Sequence, residues 1–193
     1  MSVSIPGTRL TLVSFRGPMG SGKTTAANIL VTGHDFTRVS FAGPLKKLVM
    51  KITPDRRIDK VRDRALLQFL GTEYFRTIDP DYWVKQWERA VAERVELTRG
   101  DCRIVVDDCR FANEAEAVRR LGGHSFFLES DPAERDERIT LRDGGDSRGT
   151  AGHESEAVGF GEGEVTIPND KGLDYLRADI HRIMKELLNG SVT

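Results

Sequence analysis

Residues 17–24, Gly17-Pro18-Met19-Gly20-Ser21-Gly22-Lys23-Thr24, follow the apolar run Leu10 to Phe15 and open the helix-like stretch Ala26 to Val31. Strand, glycine-rich loop and helix start in that order make a phosphate-binding P-loop. Gly17, Gly20 and Gly22 let the backbone curl around an anion, and the amides of the loop, with Met19 and Ser21 between the glycines, then point inward. Lys23 supplies a mobile charge for β and γ phosphates. The Thr24 hydroxyl is placed to ligate Mg²⁺, whose other ligands would be phosphate oxygens and water, and Thr25 stands next in line. A plain glycine turn is the competing explanation, and the flanking strand and helix weigh against it. Nucleotide phosphate is the first ligand this sequence predicts.

The chain has 193 residues, enough for one domain with a real core. Lys plus Arg number 29 against 30 Asp plus Glu, so no global charge argues for a nucleic-acid duplex or a membrane surface as partner. No run reaches transmembrane length and the first residues lack the pattern of a secretory signal, so a cytoplasmic setting is expected. Cys102 and Cys109 flank the apolar run Ile104 to Val106 at a spacing that suits neither a redox pair nor a zinc set, and read as buried or incidental thiols.

Leu10 to Phe15 reads as a first, buried strand and Thr24 to Thr32 as its following helix, with Arg38 to Phe41 a short second strand. Between Pro44 and Glu96 apolar residues recur at helical spacing, and Gly71 and Pro80 are expected to break the region into separate helices. Ile104 to Val106 is a core strand, Phe111 to Leu121 a helix closed by Gly122-Gly123, and Ser125 to Leu128 another strand. From Asp131 to Gly163 the chain is charged and Gly-rich, and reads as a lid. Val165 to Ile167 supplies a last strand, Pro168-Asn169-Asp170 a turn, and Leu173 to Leu187 a terminal helix. Alternating strands and helices imply an α/β fold, a parallel sheet flanked by helices on both faces, with ligands at the carboxyl ends of the strands. One domain is expected over 1–193, with a core of 8–43, 101–130 and 163–193, a helical region at 44–100 and a mobile lid at about 131–162.

A P-loop does not by itself separate kinases from switch GTPases or mechanical ATPases. A base-reading Asn-Lys-x-Asp segment is missing, and the length leaves little room for a motor's partner regions. A small-molecule kinase fits the size and gives Arg135, Arg138, Arg142 and Arg148 a task, because a closing lid brings positive charge to the transferring phosphoryl group and excludes water. A solvated face would use the same arginines, since Asp131, Glu134, Asp136 and Glu137 accompany them. Asp107 and Asp108 follow the strand Ile104 to Val106, so one of them is expected to hold Mg²⁺ through water or to orient the acceptor. Arg110 is close enough to grip a phosphate or pair with Asp108.

Several further segments carry a resemblance. Phe41-Ala42-Gly43-Pro44-Leu45-Lys46, Leu67 to Glu73, Arg76, Asp81-Tyr82-Trp83-Val84, Asp108 to Glu114 and His153-Glu154-Ser155-Glu156 resemble the bacteriophage deoxynucleoside monophosphate kinases, in order and spacing over nearly the whole chain. The resemblance implies a P-loop NTPase fold of the nucleoside monophosphate kinase kind, transferring the γ-phosphoryl of ATP to a deoxynucleoside 5′-monophosphate. It further implies that 44–100 binds the acceptor. Carried over by position, Lys23 and Thr24 would serve ATP and Mg²⁺, Asp108 and Arg110 the edge of the active site, and Arg76 the acceptor phosphate. Phe41, Ala42, Pro44 and Lys46 would border the acceptor pocket with Thr72, while Gln68, Tyr74 and Trp83 would bond to or stack on the base. Trp83 and Trp87 fit a core equally well. In the lid, Arg138, Arg142, Arg148 and His153 are the candidates to touch phosphate, and His153, beside Glu154 and Glu156, fits a lid-ordering contact equally well.

A monophosphate acceptor is already mostly ionised at neutral pH, so its transfer needs positioning and charge neutralisation rather than a base. Two alternatives stay open: a kinase of a hydroxyl acceptor, for which Asp108 would be the base, and a nucleotide-binding regulator that transfers nothing. The accepted base and the oligomeric state, a homodimer included, are left undetermined by the sequence.

Overall fold

The computed structural model describes residues 8–53, 63–143 and 163–189. Strands β1 (Arg9–Arg16), β2 (Thr37–Arg38), β3 (Asp101–Val106), β4 (His124–Glu129) and β5 (Val165–Pro168) form one parallel sheet in the order β2-β3-β1-β4-β5. Parallel neighbours need a crossover, and helices supply each one. They are α1 (Lys23–Gly33) after β1, α6 (Ala112–Arg120) after β3 and α7 (Pro132–Asp143) after β4. A helical layer spans the β2 to β3 connection, and α8 (Leu173–Leu188) closes the described chain. This is the α/β P-loop architecture, with the loop after the central strand at the carboxyl edge of the sheet.

The period of two along β1 divides the core. Val13 and Phe15 face α1 and α8, where Leu30, Leu176, Ile180 and Met184 meet Val105 and Phe126. Leu12 faces the other way, into a cluster of Ile104, Val106, Val84, Trp87, Val91 and Val118 built on α5 (Tyr82–Glu96) and α6. Burial on both faces is why β1 and β3 read as continuous apolar runs rather than alternating ones. The thiols follow this packing as expected: Cys102 and Cys109 are free and buried, and burial pushes the Cys109 thiol up, so neither is a ready nucleophile.

The helical layer departs from expectation in two places. Strand β2 stops at Arg38 instead of running to Phe41, and α2 (Ala42–Ile52) begins before Pro44. The cause is tertiary: the Phe41 and Ala42 amides donate to the Asp108 carboxylate at 2.9 and 3.0 Å, which turns the chain into a helix. Phe41 then lies buried with its ring stacked on Trp87, centroids 4.3 Å apart. Nor does Gly71 end a helix. It sits inside a π-helical segment, Phe69–Tyr74, that joins α3 (Arg64–Gln68) to α4 (Phe75–Ile78). A Cβ at Gly71 would stand 2.9 Å from Leu45 Cδ2, so the glycine admits close packing on α2. Pro80 does separate α4 from α5. A third cluster of Leu45, Val49 and Trp83, flanked by Leu66, Leu67, Leu70 and Phe75, holds this layer together.

The segment expected to be a Gly-rich lid begins as regular structure. Asp131 accepts from the Ala133 amide at 2.8 Å and starts α7, whose charged residues lie on a helix packed beside the P-loop. The rest of that segment, 144–162, is outside the described residues. Among those described, no helix is long and apolar enough to cross a membrane.

Candidate active site at the carboxyl edge of the sheet

The P-loop follows β1, and the end of β4 and the turn after β5 pack against it. Gly17 has φ +132°, and a Cβ there would lie 2.5 Å from the Leu128 carbonyl oxygen at the end of β4. At Gly22, φ +98°, a Cβ would lie 2.4 Å from Asn169 Nδ2, just past β5. Both positions therefore need glycine for conformation and for space. Lys23 Nζ donates to the carbonyls of Gly17 and Pro18 at 2.8 and 2.7 Å, and Thr24 and Thr25 are exposed on the first turn of α1.

The acidic doublet after β3 splits between two helices. Asp107 lies 3.6 Å from Arg38 Nε, and Arg38 donates to Asn28 of α1 at 2.7 Å. Asp108 turns to α2, with one amide on each oxygen. Burial pushes the Asp108 carboxyl up, those amides and Lys46 oppose the shift, and Asp107 adds to it. Arg110 is exposed at the rim, and its backbone amide donates to Glu114 at 2.7 Å.

Arg76 stands on α4. Its guanidinium is 2.6 Å from Glu114 Oε1, donates through Nε to the Gly71 carbonyl at 3.1 Å and lies 4.0 Å over the Phe111 ring. Glu114 is 2% exposed, and its second oxygen accepts the Arg110 and Phe111 amides. Burial pushes this carboxyl up, with the Arg110 amide, Arg76 and the Phe111 amide opposing. Glu114 was missed as a functional candidate, because a Glu three residues after a Phe does not look like a helix-capping pair. Arg76 lines a cavity of about 270 Å³ with Thr72, Thr77, Pro80, Phe111 and Asn113.

Of the residues expected around an acceptor, Thr72 and Arg76 line this cavity, and Phe41, Ala42, Pro44, Lys46, Gln68, Tyr74 and Trp83 do not. Phe41 and Trp83 are core residues, each 3% exposed: Trp83 packs on Leu45 and Val49 and meets Phe75 edge-on. They correct the expectation of a pocket border and a base platform. Lys46 stands on α2 near Asp108, Gln68 is half-buried on α3, and Tyr74 is exposed. Arg138 lies beside the P-loop. It donates to the Asn169 carbonyl at 3.0 Å and reaches the Gly20 carbonyl at 3.5 Å, while pairing with Glu134 at 2.6 Å. The Arg142 side chain, Arg148 and His153 lie outside the described residues.

Residues 13–159 match the family described as AAA domain. An Acanthamoeba polyphaga mimivirus protein named "Putative deoxynucleotide monophosphate kinase" is 30% identical over an alignment of 143 residues that covers 62% of this chain and 74% of that protein. A gluconokinase from Sinorhizobium meliloti superposes with a TM-score of 0.51 at 16% identity, covering 94% of this chain and 98% of its own. Shikimate kinase from Acinetobacter baumannii does so with a TM-score of 0.50 at 14% identity, covering 95% and 96%. At those identities the two structures establish the fold alone. With its P-loop at the edge of a five-stranded parallel sheet and a family match over residues 13–159, the chain belongs to the AAA domain family of kinase-like P-loop proteins.

Proposed function

We propose that the chain transfers the γ-phosphoryl group of ATP to a deoxynucleoside 5′-monophosphate. The observation that carries this is the cavity lined by Arg76 beside the loop after β3, where Arg76 is oriented by Glu114, Gly71 and Phe111. A planar guanidinium suits a phosphate dianion, and Thr72, Thr77 and Asn113 add polar groups around it. The name of the 30% identical relative supports the same acceptor class.

On this reading the P-loop amides hold the donor phosphates. Lys23 exchanges two neutral carbonyls for a charged phosphate oxygen, a stronger acceptor. Thr24, with Asp107 or Asp108 through water, would hold Mg²⁺, which when bound neutralises charge on the transferring group. The donors fit that ion: Thr24 offers an exposed hydroxyl on the first turn of α1 and the loop after β3 offers carboxylates, and Mg²⁺ takes most of its other ligands from phosphate and water. The acceptor oxygen is ionised at neutral pH, so no side chain need remove a proton. Asp108 suits such a mechanism, since its two oxygens hold the start of α2.

A second reading is a hydroxyl acceptor on the same fold, and Asp108, just past the end of β3, is the residue that keeps it open. That chemistry would ask Asp108 to act as a base while its carboxylate anchors a helix. An acceptor panel with ATP separates the two. Diphosphate formation from free deoxynucleoside monophosphates is expected; turnover confined to nucleosides, sugar acids or polynucleotide would overturn the proposal, and ATP binding without transfer to anything would leave a regulator.

A further inference from the structure

We propose that Asn169 is a positioning residue for the phosphate cradle: its side-chain amide fixes the Ser21–Gly22 peptide so that the Gly22 N–H faces the bound phosphate. Asn169 follows β5 and is 6% exposed. Its own backbone amide donates to the Glu129 carbonyl at 2.7 Å, which fastens it to the end of β4. From there Nδ2 donates to the Ser21 carbonyl oxygen at 2.8 Å. The contact is close-fitting, because a Cβ on Gly22 would overlap Nδ2, and Leu176 of α8 lies on that same outer side.

The described peptide bonds are all trans, so the carbonyl and N–H of one peptide point in opposite directions. Drawing the Ser21 carbonyl outward therefore turns the Gly22 N–H inward, toward the concave side of the loop. The preceding amide has another task, since Ser21 N donates to the Pro18 carbonyl at 3.2 Å. Gly22 thus supplies the inward donor at the point where α1 begins, where the helix dipole already favours an anion. Arg138 extends the same bracket, taking the Asn169 carbonyl at 3.0 Å and reaching the Gly20 carbonyl at 3.5 Å. The sequence hides this part, because Asn169 and Ser21 are 148 positions apart.

The test uses the full chain and inorganic tripolyphosphate, a probe with neither base nor acceptor, so its outcome is independent of the acceptor proposed above. Asn169→Asp is nearly isosteric but lacks the N–H and sets a carboxylate against the Ser21 carbonyl. Binding of tripolyphosphate is expected to weaken by about tenfold or more, the scale of one lost hydrogen bond to a charged group. A merely structural Asn169 would lower the unfolding midpoint and leave the affinity of the folded protein within about twofold, which overturns the proposal. Should the variant not fold, the unmodified protein decides by NMR. Saturating tripolyphosphate is expected to move the Gly22 amide proton downfield with the Asn169 side-chain amide still hydrogen-bonded; a Gly22 amide that does not respond refutes the assignment.

Discussion

The P-loop follows the central strand β1 and the Arg76 cavity borders the loop after β3, and the two are built in different ways. Main chain and buried side chains hold the P-loop from behind: the Leu128 carbonyl presses on Gly17, and Asn169 fills the space beside Gly22. A helical layer with its own small cluster carries Arg76, and the layer leaves Met50, Ile52, Phe69, Tyr74 and Ile78 exposed. Buried Glu114 joins Arg76 to the loop of Arg110, and Asp108 joins the start of α2 to the same loop. Phosphate geometry is the same for every nucleotide, so a donor cradle tolerates rigidity. On the proposed function, the helical layer is the part that has to discriminate between acceptors, a task for side chains rather than for main chain.

The largest effect is expected from Lys23→Ala. The lysine bonds carbonyls of its own loop and contributes little to the core, so the unfolding midpoint should hold while turnover falls by about 10²–10³, the cost of one preorganised donor to transition-state charge. A folded variant with near-normal turnover would remove the P-loop from catalysis and, with it, the kinase reading.

Glycine replacements set the two walls directly against each other. Gly17→Ala puts a Cβ at φ +132° and against a backbone oxygen, neither of which can yield, and is expected to destabilise by roughly 2–4 kcal/mol. Gly71→Ala meets only the tip of Leu45, a flexible side chain, and gains helix propensity, so its net effect should stay within about 1 kcal/mol of zero. Urea unfolding of both variants measures the difference. Equal losses would mean that the helical layer is as tightly determined as the P-loop.

What could be read in advance divides along the same line. The apolar runs of β1 and β3, the stripe of α8 and the glycine loop are local patterns set by burial and backbone conformation, and each stands where expected. The end of β2 was misplaced because Asp108, 67 positions beyond Phe41, decides where α2 begins. Glu114 meets Arg76 across 38 positions, and neither residue carries a local signature of the pairing. The π-helical segment that presents the Gly71 carbonyl to Arg76 had the composition of an ordinary helix with a breaker. Trp83, at helical spacing beside an aromatic-rich stretch, served equally well as core or platform until Leu45 and Val49 closed over it.

The pairing across that distance can be tested on its own. Glu114→Gln keeps the volume and an acceptor oxygen but removes the charge that orients Arg76. The monophosphate KM is expected to rise by about tenfold with the KM for ATP unchanged, because a charge-assisted bond is roughly twice as strong as its neutral counterpart. Arg76→Lys should behave alike, since an ammonium cannot bond Glu114, Gly71 and a phosphate in one plane. An equal rise in both KM values would mean that Glu114 only holds the fold.

The smallest effect belongs to the outer side of the P-loop wall, where α1 and α8 are clasped by His34 and His181, ring nitrogens 2.7 Å apart. The short contact needs one nitrogen without a proton. Burial lowers the His34 pKa below its usual 6.5, the neighbouring His181 and Arg103 lower it further, and Asp35 opposes them. The folded protein therefore binds fewer protons than the unfolded chain between the folded pKa and 6.5. Stability from this group is complete above 6.5 and is lost as pH falls through that window. His124 on β4, also lowered by burial, acts in the same direction. His34→Gln should flatten, without abolishing, the decline of the urea midpoint from about pH 7 to about pH 5, leaving the share of His124. An unchanged slope would show that the α1–α8 clasp is not linked to protons, and that the wall behind the P-loop is as insensitive to acid as its main-chain construction allows.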